Sequence, residues 1–121
     1  MGTILLIEDS ITERTIITDF CKNLGINVTV ATSGEEGLEK LDGNHPDVIV
    51  LDVVLPGKSG FEVCREIKAT EKTKAIPVIL CSTKSSDMDK FWGKRQGADA
   101  YITKPIDQDI FNSTVQQFLK S

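Results

Sequence analysis

The chain has 121 residues, 40% of them apolar, and a formal net charge of −4 at pH 7, so one domain over residues 1–121 with a single ordinary core is expected. It carries no basic stretch and no apolar run long enough to span a bilayer, which argues against direct nucleic-acid binding and against membrane insertion. Met1-Gly2-Thr3 enters a strand-like run at once, without the charged and apolar regions of a secretory signal, and a cytoplasmic location is therefore expected.

Five strand-like runs alternate with helical segments. The first, Ile4–Ile7, stops at Glu8-Asp9. Ser10-Ile11-Thr12-Glu13 then reads as a capping box in which Glu13 reaches back to the cap, and Ile16, Ile17, Phe20 and Leu24 follow at helical spacing until Gly25 ends the helix. After the second strand, Ile26–Ala31, Ser33-Gly34-Glu35-Glu36 reads as a second capping box opening a short helix through Leu38 and Leu41. The third strand, Asp47–Leu51, holds the run Val48-Ile49-Val50-Leu51 and closes on Asp52, with Pro56 and Gly57 marking a loop. Phe61, Cys64 and Ile67 mark a third helical face. The fourth strand, Val78–Cys81, is followed by Ser82. Met88, Phe91 and Trp92 mark a fourth helix that ends near Gly97. The last strand, Ala100–Thr103, stops at Lys104-Pro105, and Asp107 caps a fifth helix with Ile110, Phe111, Val115, Phe118 and Leu119 as its apolar face. All of these apolar stripes are expected to face the core. The alternation predicts an α/β fold, a five-stranded parallel sheet flanked by helices on both faces.

Cys21, Cys64 and Cys81 are odd in number, fit no zinc spacing and sit in apolar stretches, which reads as buried reduced thiols. His45, alone before Pro46, reads as a loop residue rather than a ligand.

In open α/β sheets, sites form at the carboxyl ends of the strands. There the sequence brings together three acids, Glu8, Asp9 and Asp52, with one lysine, Lys104. Each alone is an ordinary loop or turn residue; together they suit a divalent cation and phosphoryl chemistry on Asp52. An incoming phosphate is repelled by the carboxylate, and Mg²⁺ (or Mn²⁺), which prefers oxygen ligands, offsets the repulsion. Glu8, Asp9 and Asp52 supply acid ligands, and the backbone carbonyl of Val54 can supply another. Lys104 neutralises a phosphoryl oxygen as a compact charge, and Ser82 donates a hydroxyl to a second.

The motifs Ile7-Glu8-Asp9, Val50-Leu51-Asp52, Leu55-Pro56-Gly57 leading to Gly60, Ser82 after the fourth strand, and Tyr101-Ile102-Thr103-Lys104-Pro105 resemble the receiver domain of bacterial two-component response regulators, in its single-domain, CheY-like form. The resemblance covers essentially the whole chain and implies a flavodoxin-like (βα)5 fold. It implies that Asp52 takes phosphate from a histidine kinase or phosphotransfer domain. Glu8 and Asp9 would bind the Mg²⁺, Ser82 would move toward the phosphoryl group, Tyr101 would turn inward as the aromatic switch, and Lys104 would grip phosphate. Output is then expected through a downstream protein that reads the face of the fourth helix, fifth strand and fifth helix, since no effector domain follows Ser121. Glu8 stands where many relatives carry Asp. Val54 and Lys84 flank the path of attacking water and are poorly suited to orient it, so slow self-dephosphorylation is expected. Ser82-Thr83-Lys84 and the segment from Trp92 to Ala98 look like regulators of type IV pilus motility, the PilH-like group.

Other functional classes fit the residues less well. A turnover phosphohydrolase with an aspartyl nucleophile needs a second acid two residues on, where this chain has Val54. A nucleotide or flavin module needs a Gly-rich loop after the first strand, where this chain has Glu8-Asp9-Ser10. A receiver-like scaffold that is never phosphorylated has no need of the intact Asp52, Ser82 and Lys104 set. The expectation is a signalling switch rather than an enzyme acting on small substrates.

Overall fold

In the computed structural model, residues 2–119 are described; Met1, Lys120 and Ser121, and so the readings made at both chain ends, lie outside the described residues. Strands β1 (Thr3–Ile7), β2 (Asn27–Ala31), β3 (Val48–Asp52), β4 (Val78–Ser82) and β5 (Ala100–Thr103) alternate with helices α1 (Ile11–Asn23), α2 (Gly34–Lys40), α3 (Gly60–Ala69), α4 (Asp87–Arg95) and α5 (Gln108–Phe118). The strands form one parallel sheet in the order β2-β1-β3-β4-β5. Every residue of β3 and β4 is buried, because helices cover both faces of the sheet, and that is why these strands read as unbroken apolar runs.

The sheet separates two apolar layers. On one face Ile4, Leu6, Val50, Ile79 and Ile102 meet Ile17 and Cys21 of α1 and Phe111 and Val115 of α5. The Phe20 and Phe111 rings tilt against each other at 5.6 Å. On the other face Leu5, Ile7, Ile49, Leu51 and Leu80 meet Val63, Cys64 and Ile67 of α3, with Leu38 of α2 beside them. All three cysteines are free and buried. Burial pushes the Cys21 and Cys64 thiols up to about 11 and raises Cys81 as well, so none is a thiolate at neutral pH.

Several sequence expectations need correction. Strand β3 runs one residue later than Asp47–Leu51. Asp47 lies just before it, its carboxylate accepting the Thr3 N–H at 2.8 Å, whereas Asp52 sits in register opposite Cys81. The Ser10 and Ser33 hydroxyls do cap α1 and α2, but neither forms a full capping box. The Ser10 N–H donates instead to Glu8 at 3.2 Å, and Glu36 accepts the Thr32 N–H at 2.6 Å. The complete boxes are Ser59 with Glu62 on α3 and Ser86 with Asp89 on α4.

The largest departure is α4. Met88, Phe91 and Trp92 are 71%, 56% and 48% exposed rather than core. The face of α4 turned to the sheet is that of Gly93, the buried residue of the helix, with Gln96 buried just beyond its end. A Cβ on Gly93 would come within 2.9 Å of Leu80 Cδ1 and 3.1 Å of the Tyr101 ring. At Gly93 the helix packs closely on the Leu80 and Tyr101 side chains, which would have to shift to admit a larger residue, and the apolar stripe is turned outward. Among the other expected core positions, Ile110 and Ile16 are exposed.

Candidate functional site

Because β1, β3, β4 and β5 are parallel, their carboxyl ends fall at one edge, and the order reverses between β1 and β3, where open sheets form their crevice. Asp52 closes β3 there. Ile7 pairs with Leu51, so Glu8 follows beside Asp52. On the other side Ser82 pairs with Thr103, which puts Lys104 one residue beyond the end of β5. Sheet register alone therefore delivers Glu8, Asp52, Ser82 and Lys104 to one place.

The side chains meet. Lys104 Nζ donates to Glu8 Oε1 at 2.6 Å and lies 3.4 Å from Asp52 Oδ2. Glu8 and Asp52 are buried, 1% and 6% exposed, while Asp9 faces solvent. Carboxylate oxygens of Glu8, Asp9 and Asp52 lie within 4.8 Å of one another. This donor set is all hard oxygen and fits a divalent cation of the Mg²⁺ or Mn²⁺ type. The Asp52 Oδ1 also accepts the Val54 N–H at 3.3 Å, which fixes the carboxylate's orientation. The Lys104–Pro105 peptide is cis.

The electrostatics follow from burial and crowding. Asp52 is pushed up to about 6, first by burial and then by the neighbouring Glu8 charge, with Lys104 opposing the rise. Burial works to lower Lys104, yet the Glu8 hydrogen bond and the Asp52 and Glu8 charges outweigh it and raise the lysine, which stays protonated. A single ammonium thus faces two buried carboxylates and leaves excess negative charge, the condition that favours a cation on the open Asp9 side.

Ser82 and Tyr101, the two residues expected to act as a switch, lie next to this cluster. The Ser82 hydroxyl is fully buried and accepts the Lys84 N–H at 3.1 Å. The Tyr101 phenol donates to the Lys84 carbonyl, so one short loop holds both residues. The ring packs over Gly93 against Leu80 and is half-buried. Val54 is exposed at the mouth of the site, and its carbonyl belongs to the same turn as Asp52.

Two further residues, Arg14 and Lys58, are not apparent from the sequence, and a third, Gly60, appears there only within a motif. Arg14 Nη1 donates to the carbonyls of Glu8 at 3.2 Å and Asp9 at 2.9 Å, bracing the loop that carries both acids. A basic residue in the first turns of an otherwise acidic helix start is the only hint the sequence offers. Gly60, noticed only as part of a motif, is sterically required: a Cβ there would lie 2.0 Å from the Asp52 carbonyl oxygen. Lys58, in the loop between β3 and α3, pairs with Glu66, while its N–H donates to Glu35 at 3.2 Å.

The profile of the response regulator receiver domain matches residues 4–116. The chain is 40% identical to the protein PilH of Pseudomonas aeruginosa over 98% of both chains. Among solved structures, the chemotaxis response regulator CheY4 of Vibrio cholerae superposes with a TM-score of 0.91 at 30% identity, covering 98% of this chain and 99% of that one. The receiver domain of a sensor histidine kinase of Pseudomonas aeruginosa, solved with a magnesium ion coordinated in its active-site cleft, superposes with a TM-score of 0.91 at 27% identity, covering 99% and 98%.

Proposed function

The chain belongs to the response regulator receiver family, and from that premise we propose that it is a phosphorylation-activated switch whose phosphoacceptor is Asp52, charged by a histidine kinase or phosphotransfer domain. The observation that carries this reading is the Asp52 carboxylate at the end of β3, 3.4 Å from Lys104 Nζ and within 4.8 Å of two further acids.

In the step itself a carboxylate oxygen of Asp52 attacks phosphorus. The N–P bond of the donor phosphohistidine breaks as the O–P bond forms, and the imidazole leaves with the bond's electron pair. Asp52 must be ionised to attack, and the Lys104 ammonium favours that form. Glu8, Asp9, Asp52 and the Val54 carbonyl are the oxygens that would hold Mg²⁺, which when bound neutralises charge on the transferring phosphoryl oxygens. Glu8 is shared between this role and Lys104, whose ammonium donates to its Oε1. Once phosphoryl is attached, Lys104 Nζ and the Ser82 hydroxyl are the donors for its oxygens. Moving the Ser82 hydroxyl from the Lys84 N–H toward phosphate disturbs the loop that also holds the Tyr101 phenol. The signal therefore has a physical route to the exposed surface of α4, β5 and α5, where a protein target reads it.

Likeness to PilH and to a chemotaxis regulator supports a cytoplasmic role in motility signalling. Turnover of small phosphate esters is not part of the reading, because the position two after Asp52 carries Val54 and no acid. The test is incubation with acetyl phosphate and Mg²⁺ followed by intact-mass measurement and peptide mapping. One phosphoryl group is expected on the peptide containing Asp52 and none on the Asp52→Asn variant. Equal labelling of the two proteins overturns the assignment.

A further inference from the structure

On the α2–α3 side of the sheet lies an open groove with a volume of about 540 Å³ that includes none of the Asp52 cluster among its walls. Its floor is apolar, formed by Leu41 and Ile67, both buried, and the half-buried Leu38. Its rim is acidic: Glu35 and Glu39 of α2, Asp42 in the turn that follows, and Glu66 of α3, against the single ammonium of Lys72. Glu66 is paired with Lys58, and Glu35 accepts the Lys58 N–H. Glu39 and Asp42 are exposed and have no ion-pair partner among the described residues.

We propose that this groove is a docking site for a basic amphipathic helix of a partner protein. Such a helix lays aliphatic side chains at i, i+3 or i+4 and i+7 into an apolar trough, and the volume here suits a few of them. Its flanking Lys and Arg side chains would meet Glu39 and Asp42, which form no ion pair among the described residues. The same charges repel an acidic peptide or an anionic metabolite, so complementarity selects the sign of the partner. The site is separate from the reading of Asp52: neither the floor nor the rim contains a residue of the phosphoryl cluster, and docking does not require phosphorylation.

The test uses the full ¹⁵N-labelled chain and a synthetic Leu/Lys amphipathic helical peptide, with a Leu/Glu peptide of the same apolar face as control, followed by amide chemical shifts. Saturable binding of the Leu/Lys peptide is expected, with the largest shifts at Leu38, Leu41 and Ile67, and no binding of the Leu/Glu peptide. The double charge reversal Glu39→Lys with Asp42→Lys, at exposed positions that leave the fold intact, should weaken binding about tenfold or more. Shifts centred on the exposed stripe Met88, Phe91 and Trp92 overturn the proposal, as do equal binding of the two peptides and an absence of saturable binding. Concentration-dependent self-association with shifts in the groove, without peptide, makes a second copy the occupant and overturns the proposed partner. Acetyl phosphate labelling of Asp52 is unaffected by any of these results, so the two readings fail independently.

Discussion

Replacing Asp52 by Asn should stabilise the metal-free protein at neutral pH, and by an amount that grows with pH. Asp52 has an ordinary value of 3.8 and is pushed up to about 6 in the fold by burial and by Glu8. Each tenfold change in proton affinity corresponds to about 1.4 kcal/mol, so ionising Asp52 costs the native state about 3 kcal/mol once pH exceeds both values. The sign is that of a raised group: native Asp52 holds its proton more tightly than the unfolded chain does. Its contribution to stability is therefore fully present below pH 3.8 and is lost as pH rises through about 6. The asparagine side chain is isosteric and neutral, and it leaves Lys104 paired with Glu8. Urea unfolding of both proteins in EDTA at several pH values measures the difference. The variant's advantage should be small near pH 4, about half-developed near pH 5 and about 3 kcal/mol at pH 7 and above. For a chain of this size that is roughly a 10 °C rise in Tm. A difference that stays flat from pH 4 to 7, or a variant less stable at pH 7, refutes the claim that this carboxylate is crowded and desolvated.

Further outcomes follow from the same geometry. Mg²⁺ should raise the Tm of wild type, because it binds the native acidic cluster, and the shift should vanish in the Asp9→Asn, Asp52→Asn double variant; thermal scans with and without EDTA decide it. Lys104→Ala leaves Glu8 and Asp52 buried without their cation and should cost about 3–5 kcal/mol at pH 8, measured by urea unfolding. At matched phosphorylation, the same variant should fail to change amide exchange across α4 and α5 where wild type does; an unchanged response removes Lys104 from the relay. Gly60→Ala would set a Cβ 2.0 Å from the Asp52 carbonyl oxygen and should destabilise by about 3 kcal/mol or more while slowing acetyl phosphate labelling, because it displaces the backbone that aims Asp52.

Much of the site was readable before any fold was known, because parallel βα units carry strand-end residues to one edge whatever the side-chain detail. A buried run ending in one acid, a second ending in two, and a third followed by lysine were enough to assemble Glu8, Asp52 and Lys104. The five strands were legible for a related reason: with both faces covered, β3 and β4 have to be apolar at every position. Local patterns also located the caps at Ser10, Ser33 and Asp107, since a cap is satisfied within a few residues of chain.

Only the tertiary structure decided how those residues divide their interactions. Glu8 divides its carboxylate between Lys104 and the Ser10 N–H while still lying in the acidic cluster, and Asp9 alone of the three acids faces outward. Arg14 bracing the acidic loop and Gly60 making room for Asp52 depend on atoms brought close from different elements, which no spacing rule reports. The periodicity of α4 misled for the same reason. Met88, Phe91 and Trp92 mark one face of a helix, but periodicity cannot say which face meets the sheet. That was settled by how closely the helix backbone approaches Leu80 and Tyr101, a distance that admits glycine at position 93 and turns the apolar stripe to solvent.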